Sequence, residues 1–158
     1  MGKDSKGIKL CFVASSGGHF EQLMMLKPLM EKYDSFIVTE KTKYAVETHS
    51  SKVYYLSQVN RKEKSFIFRM IYNLIKSLKI YIKERPDIVI STGVLATVPI
   101  CLIAKKRKKK LIYIESFAKV TSPTETGKLM YKHADQFFVQ WEQMLEVYPN
   151  AKYYGGIY

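Results

Sequence analysis

Short apolar runs rich in β-branched and aromatic residues recur along this chain, and helical periodicity fills the intervals between them. The runs are IKLCFVA (8–14), DSFIVT (34–39), KVYYL (52–56), DIVIS (87–91), KLIYI (110–114), QFFVQ (136–140) and a last short KYY (152–154). Near-continuous apolar character, without polar alternation, belongs to strands covered on both faces. The spacing predicts helices over Phe20–Lys32 with a kink at Pro28, around Tyr44–Thr48, and over Ser65–Glu84 with a stop at Pro86. Further helices are expected from Thr92-Gly93 to about Lys106, over Lys128–Ala134 and over Trp141–Tyr148. Strand–helix alternation of this kind has few solutions: an α/β fold, here a single Rossmann-like domain over residues 1–158 with a mostly parallel sheet. In such sheets ligands sit at the carboxyl ends of strands, near a switch in strand order.

Charge adds a second constraint. The net charge is +12, and it is local. Residues 61–85 carry a net +6, residues 105–110 (KKRKKK) carry another +6, and the remainder is neutral. Positive charge suggests nucleic acid, but the chain lacks a helix-turn-helix glycine pattern, RRM aromatics, a KH loop and zinc-finger ligands, so no nucleic acid partner is expected. Cys11 and Cys101 lie in apolar runs without metal-ligand spacing and read as buried reduced thiols. No metal and no cofactor are expected. The longest uncharged apolar stretch, about Gly93–Ala104, is too short to span a bilayer and contains Pro99. The polar N-terminus has no signal-peptide pattern.

Four constellations carry possible chemistry. Ser15-Ser16-Gly17-Gly18-His19 lies between a strand and a helix. Consecutive glycines allow a sharp turn and close approach, and a helix start suits a phosphate or diphosphate. His19 offers a base or a hydrogen-bond donor. The pattern is neither G-x-G-x-x-G nor a P-loop, and a plain tight turn is the competing reading. Ser91-Thr92-Gly93 repeats the strand–turn–helix arrangement, so its amides are candidates for the same crevice. Glu115 follows a strand directly, and its carboxylate is a candidate base or sugar-hydroxyl ligand. Ser122–Gly127 is a polar loop suited to closing over a ligand. His49 and His133 read as structural or surface residues.

The segment 66–83 is amphipathic. Ile67, Met70, Ile71, Leu74, Leu78, Tyr81 and Ile82 trace one face, which is expected to pack on the sheet, while Phe68 and Ile75 widen it beyond one sheet contact. Arg69, Asn73, Lys76, Lys79 and Lys83 lie on the polar side. A basic amphipathic helix with surplus apolar residues suits an anionic membrane surface. Phe66, Ile67, Phe68, Arg69, Ile75, Lys76 and Lys79 are the expected membrane contacts. A crossover helix with a solvated basic face is the alternative. KKRKKK falls on the edge opposite the strand C-termini, away from any ligand.

The motifs FVASSGGHFEQL, IVISTG, IYIESFAKVTSPTETGKLMYKHADQFFVQW and a terminal YYGGIY are also familiar together. In their order and spacing this chain resembles the bacterial homologues of the membrane-anchoring subunit of the two-part dolichol-pathway N-acetylglucosaminyltransferase. Those homologues assist a separate glycosyltransferase in capsule and exopolysaccharide assembly. More distantly, Ser16-Gly17-Gly18-His19 and Glu115 are similar to the N-terminal half of MurG. The resemblance implies one half of a GT-B glycosyltransferase, the half that binds the acceptor. It implies a cytoplasmic, peripheral membrane subunit that presents an undecaprenyl-diphosphate-linked saccharide to a nucleotide-sugar-binding partner. By the same resemblance Ser16, Gly17, Gly18, Thr92 and Gly93 face the acceptor, His19 and Glu115 are catalytic, and Gly156-Ile157-Tyr158 touch the partner. The dolichol-pathway relatives carry an N-terminal spanning helix that is not seen here, and the 66–83 helix is expected to replace it. A self-sufficient homodimeric transferase and a non-catalytic membrane scaffold remain alternatives.

Overall fold

The computed structural model describes residues 7–41 and 52–158; the segment Tyr44–Thr48 and His49 lie outside the described residues. Seven strands form one sheet: β1 (Lys9–Val13), β2 (Asp34–Glu40), β3 (Lys52–Leu56), β4 (Ile88–Ser91), β5 (Lys110–Ile114), β6 (Gln136–Val139) and β7 (Lys152–Tyr153). Their order is β3-β2-β1-β4-β5-β6-β7, and every pair is parallel. The strand runs seen in the sequence are thus all used. The order reverses between β1 and β4, which pair from Leu10 with Ile88 to Val13 with Ser91.

The period-two pleat splits the core into two layers. Leu10, Phe12, Ala14, Leu23, Met30, Ile37 and Ile90 pack on one face of the sheet. Cys11, Val13, Phe36, Val38, Val89, Leu111 and Tyr113 pack on the other. Both thiols are free and buried, and burial pushes both up, that of Cys101 to about 12.

The helices depart from expectation in specific ways. The segment 20–32 is two helices, α1 (Gly18–Met24) and α2 (Lys27–Lys32). Pro28 sits in the first turn of α2, where its missing N–H costs nothing, so it starts a helix instead of kinking one. Helix α3 covers Phe66–Glu84 and ends on Arg85, at φ 47°, before Pro86. A 3₁₀ turn, Leu95–Thr97, leads into α4 (Val98–Lys106). Helix α5 (Glu125–Tyr131) begins earlier than the expected Lys128, because the Thr124 hydroxyl caps it by accepting from the Gly127 amide at 2.8 Å. The expected helix over 141–148 is one 3₁₀ turn, Glu142–Leu145.

The seating of α3 is the main correction. The face buried against the sheet is Asn73, Ser77, Ile80, Tyr81 and Glu84, so that of the expected apolar stripe only Tyr81 is buried there. Polar groups hold it. The Asn73 side chain donates to the Ser57 carbonyl (2.8 Å) and accepts from the Ser57 amide (2.9 Å). Glu84 accepts from Lys9 (2.5 Å), Lys52 (2.6 Å) and the Tyr54 hydroxyl.

Candidate functional site

The loops after β1 and β4 meet at the carboxyl edge of the sheet, at the switch point. Gly17 turns the chain at φ 72°, a conformation open to glycine and rare for other residues. Gly18 starts α1, and an added Cβ there meets nothing within 4 Å. That bareness leaves the approach to the turn open. With only seven residues, α1 supplies a weak dipole, so anion attraction has to come from side chains.

His19 is held by a reciprocal pair. Its Nδ1–H donates to the Thr92 carbonyl at 2.8 Å, and the Thr92 hydroxyl donates to the His19 carbonyl at 2.8 Å. A carbonyl only accepts, so Nδ1 carries the proton and Nε2 is left with the free lone pair. The amides after β4 are spent internally: Thr92 N–H donates to the Val13 carbonyl (3.1 Å) and Gly93 N–H to the Ser91 hydroxyl (3.2 Å). Thr92 and Gly93 therefore orient His19 and offer no free amides to a ligand, contrary to expectation. Gly93, at φ 119°, has the Tyr113 hydroxyl and the His19 ring 3.1 and 3.4 Å from where a Cβ would stand.

A cavity of about 420 Å³ opens beside His19. Asn60, Arg61 and Lys62 from the loop before α3 line it, with Val94, Leu95, Tyr113, Thr124 and Thr126. Arg61 and Lys62 are exposed cations at its rim. The Tyr113 hydroxyl is buried without a well-formed hydrogen bond, and burial, then the charge of Glu115, pushes its phenol far up. Thr124 and Thr126 come from the polar loop that the sequence offered to a ligand; sequence reading missed Asn60 and Tyr113 as cavity residues, and treated Arg61 and Lys62 only as charge. The signal was present for the pair, since they fall in a loop at the strand-C-terminal edge.

Glu115 does not face this cavity as a free carboxylate. It is 1% exposed and accepts from the Ser116 amide (2.9 Å), the Thr124 amide (3.2 Å), the Thr124 hydroxyl (2.9 Å) and the Tyr148 hydroxyl (2.9 Å). A Cβ on Gly127 would collide with its carboxylate. Glu115 thus anchors the following loop, and the segment 122–127, expected to close over a ligand, is pinned at Thr124. Burial, then the charge of Glu115, pushes the Tyr148 phenol far up. Glu115 therefore positions Thr124, and its carboxylate oxygens are occupied by donors from within the protein.

Gln140 joins the site to the C-terminal segment. Its amide nitrogen donates to the Glu115 carbonyl (2.8 Å) and to the side-chain oxygen of Gln22 on α1 (3.2 Å), while its oxygen accepts from the Ile157 amide (3.0 Å). Tyr158 meets the Phe117 ring edge-on at 5.0 Å, and Gly156 lies against the same ring. Gly156, Ile157 and Tyr158 therefore lie along the carboxyl edge of the sheet that also holds His19. The Tyr154 and Tyr158 side chains are exposed there.

On α3, Ile67 (65%), Phe68 (77%), Ile71, Tyr72, Leu74, Ile75 (52%), Leu78 and Ile82 are exposed. Phe66 and Ile67 line a groove beside α4. Phe68 and Ile75 point outward, flanked by Lys79, and Lys76 lies over the Tyr72 ring. Arg69 leaves this set: it donates to Ser65 and Gln58 and pairs with Glu63 at 3.3 Å, which fixes the loop before the helix. Among the described residues no helix is long and apolar enough to cross a membrane.

A family model described as "Oligosaccharide biosynthesis protein Alg14 like" matches residues 10–157. The chain belongs to this family. The UDP-N-acetylglucosamine transferase subunit ALG14 of Rattus norvegicus is 26% identical, with 96% of this chain and 84% of that protein covered. The Yarrowia lipolytica protein of the same name is 28% identical, with 93% and 80% covered. MurG from Acinetobacter baumannii superposes with a TM-score of 0.70 at 14% identity, covering 86% of this chain and 42% of MurG. The UDP-GlcNAc 2-epimerase of Methanocaldococcus jannaschii gives 0.65 at 17% identity, with 94% and 45% covered. At those identities the likeness is one of fold. This Alg14-like chain matches a Rossmann-like unit that makes up less than half of each solved enzyme.

Proposed function

We propose that this Alg14-like chain is the acceptor-binding, membrane-docking subunit of a two-component glycosyltransferase. The acceptor is an undecaprenyl-diphosphate-linked saccharide of capsular or exopolysaccharide synthesis, and a separate subunit binds the UDP-sugar. The named relatives, subunits of a UDP-N-acetylglucosamine transferase, support this reading. The observation that carries it is a pairing of surfaces. The cation-rimmed cavity at His19 ends at Lys62, and the uncovered apolar arc of α3 begins at Phe66 and Ile67.

In this reading Arg61 and Lys62 take the diphosphate, close to the bare Ser16-Gly17-Gly18 turn. His19 Nε2 accepts the proton of the acceptor hydroxyl as its oxygen bonds to the donor's anomeric carbon and the bond from that carbon to UDP breaks. Thr92 holds the imidazole in the tautomer this needs. The exposed aromatics of the C-terminal segment, with Gly156, Ile157 and Tyr158, meet the partner. Phe68, Ile75, Lys76 and Lys79 meet anionic lipid at the cytoplasmic face of the plasma membrane.

Reconstitution tests the whole reading: the partner subunit, UDP-sugar and lipid-linked acceptor, with and without this chain. The expected outcome is a complex and a rate raised at least ~100-fold, most of which His19→Ala removes while the complex stays intact. Absence of both the complex and the rate increase would sink the proposal.

A further inference from the structure

We propose that the groove between α3 and α4 holds the isoprenoid chain of the acceptor lipid, an inference that rests on the acceptor-binding reading above. The groove has a volume of about 900 Å³, near the upper end of the ~300–1,000 Å³ of cavities that enclose small ligands. Ile67, Met70, Leu74 and Leu78 of α3 form one wall, and Val98 and Leu102 of α4 form the other. The charged groups along it are Lys106 and Arg107, at the C-terminal end of α4.

The groove continues from the His19 cavity along two stretches of chain. Lys62 lines the cavity, and Phe66, four residues on at the start of α3, lines the groove. Leu95 lines the cavity, and Val98, three residues on, lines the groove. Val94 stands at that junction with φ 100°, a strained conformation for a β-branched residue, of a kind that concentrates at ligand sites. The surfaces therefore run in order from a cationic, hydrogen-bonding cavity to a trough whose walls are apolar up to Lys106 and Arg107 at the far end of α4. A polyprenyl diphosphate has the same order, anionic at one end and hydrocarbon along the rest. A peptide in the trough would bring backbone N–H and C=O groups that these walls leave unpaired. The trough lies about a quarter turn around α3 from Phe68 and Ile75. A chain leaving the bilayer beneath that row therefore enters it from the side.

The test is equilibrium binding by the full chain, without vesicles, of inorganic pyrophosphate and of farnesyl diphosphate below its micellar concentration. Farnesyl diphosphate is expected to bind at least tenfold tighter. Leu102→Gln, and separately Ile103→Trp, which fills the trough from a second α4 residue that lines it, should abolish that increment. Both should leave pyrophosphate affinity and co-sedimentation with anionic vesicles within twofold of the native chain. Equal affinity for the two ligands overturns the groove assignment and leaves the acceptor-binding reading standing. Binding of neither ligand overturns both. Loss of vesicle binding in both variants assigns the trough to the bilayer contact and overturns the proposal.

Discussion

Gly17 and Gly18 are neighbours with different reasons for being glycine. Gly17 needs its φ of 72°, whereas Gly18 has no positive φ and open space around its Cα. Gly18→Ala should leave the unfolding midpoint unchanged or raise stability by up to ~1 kcal/mol, since alanine suits a helix better. Pyrophosphate affinity should fall about tenfold in the same variant, because the methyl stands where a ligand approaches. Gly127 makes the contrast. Gly127→Ala drives a methyl into the Glu115 carboxylate and the Tyr148 hydroxyl, and thermal unfolding should show a loss of ~1–3 kcal/mol. The His19 turn was legible in the sequence because backbone freedom is written in residue type. The fate of Glu115 was not, because its position after a strand says nothing of Thr124 and Tyr148, which reach it from 9 and 33 residues away.

Helix α3 shows where periodicity misleads. Its apolar residues repeat at helical spacing, and the ordinary inference is that they face the core. The sheet side takes the sector of Asn73, Ser77, Ile80, Tyr81 and Glu84 instead, because Asn73 and Glu84 find fixed partners there. The apolar arc is left to water or to something else. The double variant Phe68→Glu, Ile75→Glu should keep the native unfolding midpoint, since both side chains are exposed, and lose at least ~90% of binding to anionic vesicles in flotation. Undiminished flotation would remove the membrane contact from α3. The strands were easier to read, because near-continuous apolar runs have one use in an α/β protein. The helix boundaries were harder: the Thr124 cap and the prolines at 28 and 99 act through local hydrogen bonding that hydropathy does not record.

Across the whole molecule the charge is sorted by edge. KKRKKK lies where the strands begin, and part of it is engaged there, Lys105 with Asp135 and Lys109 with Asp87 at 2.8 Å. The His19 cavity lies where the strands end. The beginning edge also holds the Glu84 cluster, which ties the end of α3 to β1 and β3. Burial raises the Glu84 pKa, but hydrogen bonds from Lys52, Lys9 and Tyr54 outweigh it and bring the carboxyl down to about 2 from an ordinary 4.5. A depressed carboxyl stabilises the fold fully above its unfolded value and loses that contribution as pH falls from about 4.5 to about 2. Glu84→Gln should therefore cost on the order of 2 kcal/mol at neutral pH, and the gap to the native chain should close near pH 2 in denaturant titrations. A gap independent of pH would assign the cluster a packing role only.

The strand order has a consequence for synthesis. β1 stands at the centre of the sheet and pairs with β2 soon after both are made, but its other partner, β4, is complete only at Ser91. Until then the edge of β1 is unpaired, and α3 has been made without α4 beside it. The nascent chain thus carries its most amphipathic helix before its sheet is able to close, with the apolar arc of that helix uncovered from the start.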